Sequence, residues 1–193
     1  MFKQEADMDM DLTGKVLIAM PAIGDERFER SVILICAHGE DYAMGLVLNK
    51  PMEGLTLPDM LEQLEVPTGI PLPPQLVLNG GPVGKDRGFV LHSRDRIWED
   101  ATMDISEQLC LTATRDVLHA IASEEPPNRS VLALGYAGWG PGQLEYEIAE
   151  NAWLTADVTA GLVFGEDHDE KWAAALDSIG IPAGRLLGSA GRA

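Results

Sequence analysis

A glycine-rich segment from Leu134 to Glu147 constrains the fold of this chain more than any other stretch. An apolar run over 131–134 leads into it, and a helix-like pattern over 141–151 follows. Its first part, 134–142, contains four glycines, a proline and two aromatic residues: Gly135, Gly138, Gly140, Gly142, Pro141, Tyr136 and Trp139. Glycine permits backbone conformations and close approaches that side chains forbid. The pattern therefore predicts either a tight structural corner or a binding surface.

The succession of strand, glycine loop and helix start is also the geometry that binds anions on free backbone N–H groups. The Gly-Lys-Ser/Thr element of a phosphate-binding loop is missing, however, and the glycine spacing of a dinucleotide site is absent. Glu145 and Glu147 follow directly and would repel a phosphate. A structural corner is therefore favoured over a nucleotide site.

Glu145 is the candidate catalytic residue. At 100° per residue, Leu144, Ile148 and Ala152 form one apolar arc of the predicted helix. Glu145 falls within that arc, whereas Glu147 lies opposite. A carboxylate on a core-facing arc is costly unless it is paired or hydrogen-bonded. Glu145 is therefore either a structural brace, hydrogen-bonded by backbone or arginine donors, or a general acid or base with a raised pKa. The structural brace is favoured.

The charge of the chain limits its partners. The 193 residues contain 14 basic and 31 acidic residues, which gives a net charge of −17. Such a charge repels phosphate backbones and anionic membranes, and the arginines form no basic patch in the sequence. Direct nucleic-acid binding and membrane binding are therefore disfavoured. We expect a cytoplasmic protein, because no signal peptide and no run long enough to span a bilayer is visible.

The apolar runs predict an α+β fold. A flexible acidic tail (1–12) is expected before a single domain (13–190). Strands are predicted at 15–20, 31–37, 44–48, 75–78, 88–92 and 131–136, with two short ones within 101–113. Helices are predicted from Thr56, over 114–123, 141–151 and 169–179, and a frayed end from 184. Strands outnumber helices without alternating with them, which indicates a largely antiparallel sheet.

Three local patterns sharpen this prediction. The run 31–37 lacks polar alternation, so both faces of its strand should be covered, and it should form a hairpin with 44–48. Four prolines in 67–74 predict an extended loop. The last helix should bury Trp172, Leu176 and Ile179.

The cysteines and histidines suggest neither a disulfide nor a metal site. Cys36 and Cys110 lie in apolar runs and are expected as buried free thiols. Cys36 and His38 share a strand face at period two, but their side chains would point in parallel, and His38 is expected to be exposed. The four histidines have no ligand spacing, so we expect no metal and no cofactor.

Several polar and aromatic residues are candidates for binding. Asp25 and Arg30, with Arg27 and Phe28 between them, form either a ligand pocket or a helical turn whose charges pair. The other candidates lie at strand ends or in the glycine-rich segment, where they could serve as turn formers or line a pocket: Asn49, Asn79, Arg87, Tyr136 and Trp139.

Ordered motifs along nearly the whole chain, over about 13–190, give it a family resemblance. They are Ala19-Met20-Pro21, Asp25 with Phe28-Glu29-Arg30-Ser31-Val32, the run 44–51 ending in Asn49-Lys50-Pro51, Asn79-Gly80-Gly81-Pro82-Val83, the run 87–92, and the glycine-rich segment through Asn151-Ala152-Trp153-Leu154. The chain resembles the AlgH/YqgE-like family of bacterial proteins. That resemblance implies a cytosolic α+β protein whose sheet curls into a pseudo-barrel. At Lys50 the family more often has arginine, and lysine lacks its planar, bidentate recognition.

The resemblance supplies no catalytic residues, and the family name reflects a proposed role in transcriptional regulation of alginate production. Our first hypothesis is a non-enzymatic regulatory or adaptor domain that binds an unknown protein or small ligand near Tyr136 and Trp139. The alternative is a hydrolase or transferase that uses Glu145 with Arg30 or His92 in one cleft. Direct DNA binding ranks last. The oligomeric state is left open.

Overall fold

The computed structural model describes residues 11–123 and 125–188, the last two by their backbone alone. The strands are β1 (Lys15–Ala19), β2 (Val32–His38), β3 (Ala43–Val47), β4 (Pro51–Thr56), β5 (Leu76–Asn79), β6 (Val83–Ser93), β7 (Thr102–Asp104), β8 (Leu109–Thr112), β9 (Ser130–Trp139) and β10 (Trp153–Asp157). The helices are α1 (Leu57–Gln63), α2 (Arg115–Ile121), α3 (Gln143–Ala149), α4 (Ala160–Phe164), α5 (Lys171–Ser178) and α6 (Ala183–Gly188). Short 310 turns occupy Pro21–Ile23, Glu26–Phe28 and His168–Glu170.

The strands form one curled sheet. Eight of them follow the order β10-β1-β2-β3-β9-β6-β8-β7, and every neighbouring pair along this path is antiparallel. β5 adds a parallel pairing to β9, and β4 pairs with β5. The sheet bends into a half-barrel with helices packed around it. The predicted α+β class and the largely antiparallel, curled sheet are confirmed.

The first part of the glycine-rich segment, 134–139, belongs to β9, whereas the sequence suggests a loop there. The strand continues to Trp139 because its glycines allow another stretch of backbone to pass against it. A Cβ on Gly81 would lie 2.1 Å from the Tyr136 carbonyl carbon, and one on Gly135 would lie 2.5 Å from the Gly81 carbonyl oxygen. Gly135 also has a φ of 76°. The segment is therefore a structural corner built from close backbone contact.

Both faces of the central strand β2 are covered, as predicted. Val32 and Leu34 belong to a cluster that includes Trp172 of α5. Ile33 and Ile35 face a second cluster, with Trp139, Leu144 and Trp153. A third cluster packs α1 and α2 against the other half of the sheet. β2 also pairs with β3, so the predicted hairpin is confirmed.

Helix α1 begins where the sequence predicts. The Thr56 hydroxyl accepts the backbone N–H of Asp59 at 3.3 Å, and the Asp59 carboxylate accepts the backbone N–H of Thr56 at 3.0 Å. This reciprocal capping box satisfies two backbone donors that a helix start leaves open. The proline-rich stretch after α1 has no regular structure, again as predicted.

Other predictions require correction. β4, β10, α4 and α6 were missed, and α3 ends at Ala149, so Ala152 lies beyond the helix and not in its apolar arc. Ile179 is 36% exposed because α5 ends before it. Leu12, assigned to the tail, is buried. The rest of that tail, 1–10, and the end of the predicted frayed segment, 189–193, lie outside the described residues, whereas 184–188 are helical.

No helix in the described ranges combines the length and the apolar character needed to cross a bilayer.

Candidate functional site

A surface groove of about 430 Å³ lies where β3, β6 and β9 meet. We name it the aromatic groove, and its lining residues are Tyr42, Ala43, Met44, Val83, Arg87, Phe89, Tyr136, Gly138 and Trp139. Three of the predicted binding residues, Arg87, Tyr136 and Trp139, therefore contribute to one surface.

An irregularity in β6 shapes this groove. Val83 pairs with Tyr136 of β9, but the next paired residue is Gly88, opposite Leu134. The residues between them bulge out of the ladder, and bulges of this kind redirect side chains. The Arg87 guanidinium lies 5.5 Å from the centre of the Phe89 ring.

The ring of Tyr136 forms the centre of the groove. It meets Phe89 edge to face, with ring centres 5.9 Å apart. A Cβ on Gly84 would lie 3.2 Å from the tyrosine ring, and one on Gly138 would lie 3.5 Å from it. Two glycines therefore leave the space in which this ring sits. The hydroxyl-bearing ring is half-buried.

Trp139 lines the groove but is not exposed, which a contact residue would have to be. It is buried, and its indole N–H donates to Glu147 Oε2 at 2.8 Å. The most exposed apolar residues of the groove are Tyr42 (57% exposed) and Val83 (42% exposed), which sequence reasoning missed. Tyr42 follows an ordinary polar turn, so its sequence offered no signal.

The roles of the two glutamates of α3 are the reverse of those expected. Glu147, assigned to the polar face, accepts indole N–H groups from both Trp139 and Trp153, and Gln143 donates to its other oxygen at 3.2 Å. Glu145, assigned to the core-facing arc, is 48% exposed. The carboxylate that braces this corner is therefore Glu147, and its donors are indole and amide side chains, not the backbone or arginine donors expected for Glu145.

Glu145 hydrogen-bonds to His38 Nε2. The Leu12 backbone N–H donates to His38 Nδ1 at 3.0 Å, so Nδ1 carries no proton and Nε2–H is the donor to Glu145. Burial is the largest single influence on the pKa of Glu145 and raises it, but the hydrogen bond from His38, a backbone hydrogen bond and the charge of His38 together lower the net pKa. Both ring nitrogens of His38 are therefore engaged in hydrogen bonds. His38 is also mostly buried, not exposed as predicted.

A β-bulge between Ile35 and Ala37 separates Cys36 from His38. Cys36 packs in the cluster that contains Val32, whereas His38 contacts Leu12 and Glu145 near the other cluster. The predicted shared strand face is therefore wrong, because one extra residue shifts the alternation. Cys36 and Cys110 are buried free thiols, as expected.

A second cavity, of about 330 Å³, contains the predicted residues Asp25 and Arg30. We name it the Arg30 cavity; its lining is Ala19, Met20, Pro21, Ile23, Gly24, Asp25, Glu26, Glu29, Arg30, Trp172 and Leu186. Asp25 pairs with Arg27 at 2.8 Å, and this hydrogen-bonded guanidinium lowers the pKa of Asp25. The turn with paired charges is thus present, and the same segment borders a cavity.

Asn49 supports the segment that carries Arg30. Its amide donates to the Arg30 carbonyl oxygen at 2.7 Å and its oxygen accepts the Val32 N–H at 3.0 Å. Arg30 has a φ of 53°, a strained conformation for a residue other than glycine. Its guanidinium lies 5.6 Å from the centre of the Trp172 ring.

The residues of the enzyme hypothesis lie apart. Arg30 precedes β2 and Glu145 contacts the other end of that strand, about 20 Å away at 3.3 Å per residue. His92 is fully buried, bonded to the Thr112 hydroxyl at 2.7 Å, and burial lowers its pKa. Asn79, the last residue of β5, is exposed.

The sequence does not predict that Lys171 is buried. Lys171 is 3% exposed, and its ammonium donates to the Leu48 carbonyl oxygen at 2.9 Å. Burial lowers the pKa of this lysine to about 8. The part of the chain that the structure describes contains no group of three or more histidine, cysteine or acidic side chains suited to a metal ion.

Comparison with known proteins agrees with this geometry. The family described as AlgH-like matches residues 16–184. This range includes the sheet from Val16 onward, the whole lining of the aromatic groove, and the lining of the Arg30 cavity except Leu186. The chain belongs to the AlgH-like family. The resemblance inferred from the motifs is thereby confirmed.

Relatives of this AlgH-like chain cover it almost completely. The UPF0301 protein of Caulobacter vibrioides is 53% identical over 183 residues, which cover 94% of both chains. The UPF0301 protein of Ruegeria pomeroyi is 53% identical over 185 residues, covering 95% of this chain and all of the relative.

Two solved structures share the AlgH-like fold. The solution structure of the AlgH protein from Pseudomonas aeruginosa is 40% identical, has a TM-score of 0.75 and covers the whole of both chains. A crystal structure of a Corynebacterium diphtheriae protein, 23% identical with a TM-score of 0.67, covers 86% of this chain and 85% of its own, and shares the fold alone.

Proposed function

We propose that this AlgH-like chain is a non-enzymatic, cytoplasmic regulatory or adaptor domain that binds a protein partner in the aromatic groove. The observation that carries the proposal is the groove itself. It combines tyrosine, phenylalanine, methionine and arginine side chains on one open surface. These residue types are enriched at the centres of protein interfaces, where a few aromatic and arginine side chains supply most of the binding energy.

The charge of the chain favours one kind of partner. Arg87 is the only ionisable cation among the residues that line the groove, while Glu40 and Asp41 are exposed beside Tyr42 and the whole chain has a net charge of −17. Complementary charge speeds encounter and selects partners. We therefore expect an apolar anchor of the partner to enter the groove, flanked by basic residues.

The same charge argues against direct DNA contact. A phosphate backbone approaching the groove would meet the acidic turn at Glu40 and Asp41. A role in transcription would accordingly act through a protein partner.

The hydrolase or transferase alternative has less support. It required Glu145 to share a cleft with Arg30 or His92, and each of these three side chains has different neighbours. The Glu145–His38 pair has the composition of a catalytic dyad, but a general base needs a ring nitrogen free to accept a proton. His38 uses Nδ1 to bind the Leu12 N–H.

The groove can be tested with a matched pair of variants. Tyr42→Ala removes the most exposed groove ring, whereas Tyr146→Ala removes a tyrosine that is 66% exposed on α3, outside the groove. Each protein, wild type included, is immobilised and incubated with native cytosol, and the bound proteins are identified by mass spectrometry. The dissociation constant of the main purified partner is then measured.

We expect wild type and Tyr146→Ala to retain the same partner, and Tyr42→Ala to bind it about tenfold more weakly, as truncation of an interface anchor does. Rising salt should weaken the complex if the partner is basic. Equal affinity of all three proteins would contradict the proposed groove.

A further inference from the structure

We infer that the Arg30 cavity binds a small monocarboxylate with an apolar body, such as an aryl- or alkyl-substituted acid. This site is separate from the aromatic groove, and the inference does not depend on the function proposed for that groove. Three observations support it: the apolar walls of the cavity, an arginine without a carboxylate partner in the described part of the chain, and a local charge that sums to zero.

The cavity has the size and walls of a small-molecule site. Its volume of about 330 Å³ lies at the lower end of the range for ligand pockets, which are mostly apolar with few polar groups. The end of β1, the first 310 turn and helices α5 and α6 supply apolar walls, with the Trp172 ring on one side. The Trp172 indole N–H is already bound to the Ala19 carbonyl oxygen at 2.9 Å, so the ring is held in place.

Arg30 differs from the cations around it. Arg27 pairs with Asp25, and Lys50 donates to the Arg27 carbonyl oxygen at 3.2 Å. The Arg30 guanidinium has a ring contact with Trp172 but no carboxylate partner among the described residues. A guanidinium presents a planar set of donors that fits a carboxylate with two parallel hydrogen bonds.

The backbone holds this guanidinium over the cavity at a cost. Arg30 adopts a left-handed conformation, and Asn49 fixes the peptides on either side of the following serine. Strained residues other than glycine persist where the surrounding structure over-determines them, and they are frequent at ligand sites. Asn49 therefore acts as a positioning residue for Arg30.

Local charges permit an anion here, although the chain as a whole is acidic. Four charged residues line the cavity: the carboxylates of Asp25, Glu26 and Glu29 and the guanidinium of Arg30. Two cations outside the lining, Arg27 paired with Asp25 and Lys50 near Glu29 and Asp25, complete a local charge cluster. Its formal sum is zero, whereas the whole chain carries −17. A single negative charge is thus tolerated, and the apolar walls favour a ligand with one carboxylate and no second charge.

The test uses 3-phenylpropanoate as the probe and 3-phenylpropanamide as its uncharged analogue. Binding is followed by the NMR shift of the Trp172 indole N–H, assigned by Trp172→Phe. We expect a saturable shift with the acid and at least about tenfold weaker binding of the amide, because the charge-assisted pair with Arg30 is lost. Arg30→Gln should weaken the acid to a similar degree, and Arg115→Gln, which alters an arginine of α2 that does not line this cavity, by less than about twofold.

The indole signal of Trp139 reports whether each variant is folded, since its N–H is bound to Glu147 and Trp139 does not line this cavity. An N-acetylated tripeptide ending in phenylalanine distinguishes the two sources of a carboxylate; binding tighter than the free acid would support a peptide terminus, and weaker binding a free metabolite. Equal binding of the amide, an unaffected Arg30→Gln variant, or displacement of the acid by inorganic phosphate would overturn the inference.

Discussion

The indole rings of Trp139 and Trp153 meet edge to face, with centres 6.1 Å apart, and donate their N–H groups to the same carboxylate oxygen of Glu147. This contact ties helix α3 to β9 and β10. Glu147→Ala would leave two buried indole donors without an acceptor, so we expect the free energy of unfolding to fall by about 2–4 kcal/mol. Urea unfolding followed by tryptophan fluorescence measures this loss.

Glu150→Ala is the control for that variant, since Glu150 is an exposed glutamate at the end of the same helix. It should change stability by less than about 0.5 kcal/mol. Coincident unfolding curves for the two variants would show that the Glu147 contact contributes nothing.

Gly81→Ala should disrupt the backbone corner. The added Cβ would lie 2.1 Å from the Tyr136 carbonyl carbon, and Gly81 has a φ of 154°. Neither backbone segment can move without separating β9 from its neighbouring strands. We therefore expect the free energy of unfolding to fall by about 3 kcal/mol or more. Gly39→Ala has no atom within 4 Å of its new Cβ and should be nearly neutral. Thermal melting of both variants decides, and a stable Gly81→Ala protein would refute the corner.

The buried Lys171 should make stability depend on pH in the alkaline range. Its pKa is 10.5 when solvated and about 8 in the folded chain. Between these values the unfolded chain binds more protons, so the stability due to this group rises with pH, by about 3 kcal/mol over the window. Below about pH 8 the folded chain carries the full penalty of a buried charge.

Comparison with Lys171→Met isolates this effect. The thiol pKa values of Cys36 and Cys110, raised by burial to about 12 and about 11, lower stability above pH 9 in both proteins and cancel in the difference. Between about pH 7 and pH 10.5, the stability of the variant relative to wild type should fall by about 3 kcal/mol. A constant difference would mean that the lysine titrates normally. Chemical denaturation at several pH values provides the measurement.

Both thiols should resist alkylation in the folded chain. At pH 8, a thiol of pKa about 12 is ionised in roughly one molecule in ten thousand, and Cys36 is also inaccessible. We expect iodoacetamide to label the native protein at least about a hundredfold more slowly than the same protein in concentrated urea. Rapid labelling of either cysteine under native conditions, detected by mass spectrometry, would contradict this.

Features that depend on neighbouring residues were predictable from the sequence. The helix start at Thr56, the covered run of β2 and the turn with the Asp25–Arg27 pair all arise within a few residues. The glycine-rich segment was also predicted to be structural, but the backbone segment at Gly81 that packs against it was not predicted.

Features that depend on distant contacts were not predictable. Helical periodicity places Glu145 towards the core. The two buried indole N–H groups that need an acceptor come from β9 and β10, however, and they bind Glu147. The aromatic groove combines β3, β6 and β9, and its shape depends on a bulge without a sequence signature. The partner of Arg30 in its cavity, Trp172, lies on the last long helix.

The pairing of β1 with β10 places the first and last strands of the sheet side by side, with Lys15 opposite Asp157. While the ribosome synthesises this chain, β1 can reach β2 early but must wait for nearly the whole domain before its other edge is covered. Long loops of this kind slow folding, and unpaired strand edges attract other chains. We therefore expect the nascent chain to depend on a chaperone or on fast late closure, and the sheet to complete only when residues 153–157 have left the exit tunnel.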